Sequence, residues 1–136
     1  MLRKLNFSIG LILLIAFPIT GLYMQYYFRP EHLTEMTARM EMRANHIYIL
    51  FVSLLNLLSF TSLISYSSRF AKSLDFISRI LFLTAGVFSF IAFLKEHTGT
   101  LKGRWFTFLC VLSSLIGTVF FATAYILSQR SKSSES

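Results

Sequence analysis

The groups in this sequence best able to do chemistry are its histidines and the carboxylates near them. His32 and His46 share a stretch with Glu35, Glu41 and Arg43, and His97 follows Glu96 directly. Imidazole and carboxylate together make zinc or iron ligands, and imidazole also takes up protons near neutral pH. The spacing matches no metal motif. His32 and His46 are fourteen residues apart, in phase on a helix but about 21 Å apart in rise, too far to share one ion. His46 and His97, with Glu96 beside them, are the candidate metal or haem ligands, provided the segments carrying them touch. The structural alternative is that His46 anchors the start of a helix and hydrogen-bonds a headgroup or a neighbouring loop.

The second chemical signal is an amide within an apolar run. From His46 through Ser53 to Asn56 the offsets are seven and ten, which keep one helix face. An unpartnered amide in hydrocarbon is costly, so this polar face is expected to point into a helical bundle. There it either ties helices together or lines a polar pocket. No Gly-rich phosphate loop, HExxH, G-x-S-x-G or intramembrane acid pair is present, and no catalytic residue is assigned.

These residues must be positioned by long apolar segments. The chain has 136 residues, is 54% apolar with 15 Phe, and is 14% charged. A soluble domain of this size could not hide so much apolar side chain. Four stretches, Phe7–Phe28, Ile47–Tyr66, Phe76–Leu94 and Trp105–Leu127, approach or exceed the roughly 20 residues that cross a bilayer core. They are read as charge-free spans, with Arg79 counted among the basic residues of the second connection. None alternates in polarity, which excludes a β-barrel. The first is read as an uncleaved helix, because it outruns a signal peptide and no small-x-small cleavage site follows. The expected fold is therefore an all-α integral membrane protein. A four-transmembrane-helix bundle covers residues 1–128, a short amphipathic extramembrane helix precedes the second span, and 129–136 form a disordered polar tail.

Between the first two spans Pro30 suits a first helical position, and Leu33, Met36, Met40 and Ile47 recur on one stripe. Glu35 and Arg39 make an i, i+4 pair. With no breaker in 31–66, that region is either one long helix or an interfacial helix bent near Asn45. Gly99 and Gly103 mark a turn between the last two spans. Ala85, Ser89 and Ala92 in the third span, and Ser114 and Gly117 in the fourth, are small residues at helical spacing, a predicted packing seam. The lone cysteine, Cys110, excludes an intramolecular disulfide.

The net charge of +7 comes from basic residues spread over every connection and both tails, with no stripe suited to nucleic acid. The side with both termini carries seven Lys and Arg by this reading (Arg3, Lys4, Arg69, Lys72, Arg79, Arg130, Lys132). The other carries six (Arg29, Arg39, Arg43, Lys95, Lys102, Arg104). The balance leans to cytoplasmic termini, in a bacterial inner membrane. The expected function is a non-enzymatic accessory or interaction subunit, with the bilayer and a membrane-protein partner or a second copy as its contacts. The alternatives are a small oligomeric transporter or channel using the Ser53/Asn56 face, and a haem- or metal-binding membrane protein using His46 and His97.

Overall fold

Hydrophobic runs of this length satisfy their own backbone only as helices when no water is at hand. The structure, a computed structural model, describes residues 1–61, 68–96 and 103–133, the side chains of 130–133 excepted. It is all-α. Helix α1 spans Leu2–Tyr23 and runs through a π-helical turn, Met24–Phe28, into the short α2, Arg29–Glu31. Helix α3 is Met36–Thr61, α4 is Arg69–Lys95 and α5 is Trp105–Ser133. Four helical segments are each long and apolar enough to cross a membrane.

Local chemistry explains the ends. In a regular helix the ring of Pro30 collides with the carbonyl four residues back, here Tyr26, and the widened turn at Met24–Phe28 stands at that place. Ser68 caps α4, its hydroxyl accepting from the backbone N–H of Ala71 at 3.1 Å. Gly103 has φ +73°, the left-handed geometry that glycine adopts freely, and α5 starts two residues later. It continues to Ser133, into the stretch read as a polar tail.

Between Glu31 and Met36 the chain leaves the helix at His32 (φ −118°, ψ 39°). Residues 36–46 are then the first three turns of α3 rather than a separate amphipathic helix, with no second helix starting near Asn45. Pro30 belongs to the end of the first helical segment. The Leu33, Met36, Met40 and Ile47 stripe faces outward, 58–71% exposed. The buried face of α3 is instead Ala38, Met42, Asn45, Ile49, Val52, Ser53, Asn56 and Ser59. The Glu35–Arg39 pair does not form; Arg39 Nη1 donates to the Leu33 carbonyl at 3.0 Å. The end of the second span, 62–66, lies outside the described residues.

The bundle is inside-out relative to a soluble protein. Ile12, Ile15, Ile19, Leu54, Leu58, Leu115 and Val119 face outward, whereas the buried positions combine small and polar residues with a few large apolar ones, Leu13, Met42, Ile49, Phe82 and Phe93 among them. The closest packing is α4 with α5 and α1 with α3, with α4 also against α3. Ala85, Ser89, Ala92, Cys110 and Ser114 are buried, and so is Gly117. At Gly117 an added Cβ would lie 2.9 Å from the Phe82 ring, so α4 and α5 approach closely there. The Ser89 and Ser114 hydroxyls donate to carbonyls of their own helices, Gly86 and Cys110. Their contribution between helices is small size, not a cross-helix bond.

Candidate functional site

Helix ends leave carbonyls and N–H groups without intrahelical partners, and water cannot reach them inside an apolar bundle. Two buried polar clusters meet this need, one at each end.

Near the amino-terminal end, Asn6 Nδ2 donates to Asn56 Oδ1 at 2.8 Å and to the Arg79 carbonyl at 3.1 Å. Asn56 Nδ2 donates to the carbonyls of Val52 (3.0 Å) and Phe82 (2.9 Å). Ser53 Oγ donates to the Gly10 carbonyl at 2.8 Å. The polar face of α3 is thus a set of cross-helix bonds to α1 and α4. Beside it lies a buried ion pair, Arg79 Nε to Asp75 Oδ2 at 2.7 Å. Arg79 Nη1 donates to the Ser59 carbonyl at 2.5 Å, and Arg3 Nε donates to the Phe60 carbonyl at 2.7 Å while lying over the Phe60 ring. Two guanidinium groups therefore sit on the last carbonyls of α3, where positive charge is favoured. Arg79 is inside α4, which corrects its assignment to the connection and the reading of the third span as charge-free.

At the opposite end Glu96 is buried below the start of α5. Its carboxylate accepts from the N–H groups of Phe106 (2.6 Å) and Thr107 (2.9 Å) and from Thr107 Oγ1 (2.6 Å). A negative charge at a helix N-terminus meets both the free donors and the helix dipole. Asn45 Nδ2 donates to the carbonyls of Ala92 (3.0 Å) and Glu96 (2.8 Å), closing the end of α4. Arg104 Nη2 donates to Asn45 Oδ1 at 2.5 Å. Glu96, named as a candidate metal ligand, is engaged as this cap.

His46 stands apart from both clusters. Its ring stacks on Phe17 (centroids 4.1 Å apart, planes at 12°) and fits against α1 because residue 21 is glycine, where a Cβ would lie 3.3 Å from His46 Cε1. The Thr20 hydroxyl reaches the Phe17 carbonyl at 2.9 Å. Thr20 Oγ1 also lies 2.9 Å from His46 Nδ1, a contact in which the tautomer decides which group donates. His46 lines a recess of about 180 Å³ between α1 and α3, with Gln25, Arg29, Arg39 and Arg43 around it. His32 is elsewhere, stacked on Phe28 with its Nδ1 3.0 Å from the Phe28 carbonyl. His97, the partner expected for His46, lies outside the described residues. Among the described residues no three His, Cys, Asp or Glu side chains converge as a metal ligand set.

The sequence reading left Asn6, Asp75, Thr20 and Thr107 without a role. The available signal was the same one that marks Asn56, a polar side chain inside or bordering an apolar run. Comparison with protein-family models, curated proteins and solved structures returns no match.

Proposed function

We propose that the chain is a non-enzymatic interaction subunit of a membrane, docking a helix of another membrane protein against the outer end of α3. The observation that carries this is the exposed Met36 and Met40 edge at the head of a helix too long for the hydrocarbon core. Helix α3 has 26 residues, about 39 Å at 1.5 Å per residue, against a core of about 30 Å. Its first turns stand at headgroup level, where acyl chains do not cover apolar side chains. Methionine adapts its shape to a partner's surface. The polar groups deeper in the bundle are taken up by carbonyls of neighbouring helices, which favours an interaction role over a path through the Ser53/Asn56 face.

The reading places the protein in a bacterial inner membrane with both termini cytoplasmic. With Arg79 and Arg104 engaged inside the bundle, Arg3, Lys4, Arg69, Lys72, Arg130 and Lys132 remain on the side with the termini. Opposite them are Arg29, Arg39, Arg43, Lys95 and Lys102. Arg3 is bonded within the bundle in the same way, which leaves the two sides even, so the termini-inside reading rests on the basic start of the chain directly before the first span.

A photo-crosslinking residue at Met36 or Met40, compared with one at Leu58, tests the docking face in intact membranes. Protein adducts of one defined mass from positions 36 and 40, absent from 58 and abolished by a Met36→Asp change beside the probe at 40, support the reading. An adduct at twice the chain's mass assigns the face to a second copy instead. Lipid adducts alone from all three positions refute it.

A further inference from the structure

The recess between α1 and α3 has a chemistry that neither the bundle's packing nor the docking face uses. Three arginines and one histidine surround a small volume. Among the described residues the sole ion pair is Arg79 with Asp75, so Arg29, Arg39 and Arg43 are not paired with a described carboxylate, and the neighbouring Glu31 and Glu35 are exposed and do not line the recess. Arg39 commits one N–H to the Leu33 carbonyl, while Arg29 and Arg43 are exposed with no side-chain bond to the described residues. Glu41, the acid nearest them in sequence on α3, is buried on the far side of that helix. Like charges gathered without a counter-ion repel one another, and a bound anion offsets that repulsion.

The lining narrows the anion. The recess, of about 180 Å³, has room for a phosphate group and water around it. Guanidinium groups bind phosphate oxygens through paired N–H donors, and Gln25 adds an amide at the wall. The widened π turn forms part of that wall through Met24, Gln25 and Phe28; such turns are frequent at functional sites. Tyr23, Tyr26 and Tyr27, next in sequence to the lining residues Met24, Gln25 and Phe28, are all exposed, the pattern of an aromatic belt at the lipid–water boundary.

We infer that this recess binds a phosphate ester at headgroup level, held by Arg29, Arg39 and Arg43 with His46 at its floor. The phosphate comes either from an anionic phospholipid or from a soluble phosphate compound, and the site recognises the group common to both.

The test uses the full chain, stripped of lipid in a neutral detergent. Its melting temperature is followed against phosphatidylglycerol in mixed micelles, diacylglycerol in the same micelles, and inorganic phosphate at constant ionic strength. Arg29→Gln/Arg43→Gln changes two exposed side chains and should melt no lower than the parent protein does without ligand, since it removes like charges from the recess. Lys4→Gln/Lys72→Gln removes two charges at the other end. Phosphatidylglycerol should stabilise the parent protein, and the arginine pair should raise its half-saturating concentration by about ten-fold or more. The lysine pair should stay within about two-fold of the parent, and diacylglycerol should have no effect. Competition by inorganic phosphate assigns a soluble source; its failure to compete assigns the lipid headgroup. The inference is overturned if neither phosphate probe binds the parent protein, if the arginine pair leaves both affinities within about two-fold, or if the lysine pair weakens them equally.

Discussion

Replacing Arg79 by Met should be among the most damaging single changes in the chain, and replacing its partner as well should largely undo the damage. Arg79 and Asp75 are both buried within α4 and paired at 2.7 Å. Asp75 Oδ1 has no partner among the described residues, so losing the guanidinium leaves a buried carboxylate without its counter-ion. Removing one member of a buried pair costs about 3–5 kcal/mol. Asp75→Leu should fall at the lower end of that range, because the stranded Arg79 still donates to the Ser59 carbonyl. The double variant Asp75→Leu/Arg79→Met carries no buried charge. It loses mainly the bond to Ser59, about 1 kcal/mol net. The two single losses should therefore exceed the double loss by at least about 3 kcal/mol, a coupling expected only of groups in contact. The assay is loss of helicity by circular dichroism as the SDS fraction of mixed micelles rises. A double variant as unstable as the summed singles would show that each charge is solvated independently, and the buried pairing would be wrong.

Asn56→Leu should destabilise the bundle by about 1–3 kcal/mol in the same assay, since it removes cross-helix bonds to Asn6 and to the Phe82 carbonyl; a change within about 0.3 kcal/mol would contradict the bonding role. Gly117→Leu forces a side chain into the Phe82 ring and should cost about 1–3 kcal/mol or separate α4 from α5, read as a drop in melting temperature. Glu96→Ala leaves the Phe106 and Thr107 N–H groups without their acceptor, while the Thr107 hydroxyl keeps Asn45 Oδ1, and should cost about 1–3 kcal/mol. Glu96→Gln should recover part of that loss, and equal losses for the two variants would rule out carboxylate capping.

The four long helices were legible because uninterrupted apolar runs permit little else, and the start of α5 falls at Trp105 as the sequence suggests. The Ala85–Ser89–Ala92 and Ser114–Gly117 positions were legible through residue size. The burial phase of α3 was not. The Leu33–Met36–Met40–Ile47 stripe is the most apolar side, and in a water-soluble helix that side would be buried. In this bundle that stripe faces outward, and the amides and hydroxyls of α3 turn inward together with Ala38, Met42, Ile49 and Val52. Arg79 was legible as an intramembrane charge, inside Phe76–Leu94 and at i, i+4 from Asp75, but its cross-helix role was not. Its acceptor, the Ser59 carbonyl, is twenty residues away on another helix, and no local spacing reveals that pairing. The basic recess also depends on tertiary structure, because Arg29 and Gln25 come from the first helical segment and Arg39, Arg43 and His46 from α3.

The central claim is that the polar face of α3, Ser53 and Asn56, is closed off by bonds to α1 and α4, while the outer recess stays open to ligand. Single cysteines at positions 43, 53 and 56, each in a Cys110→Ala background, test both halves with a membrane-impermeant maleimide on intact cells and on inverted vesicles. The account predicts labelling at position 43 from the outer side and none at 53 or 56 from either side. Rapid labelling at 53 or 56, or protection at 43, would contradict it.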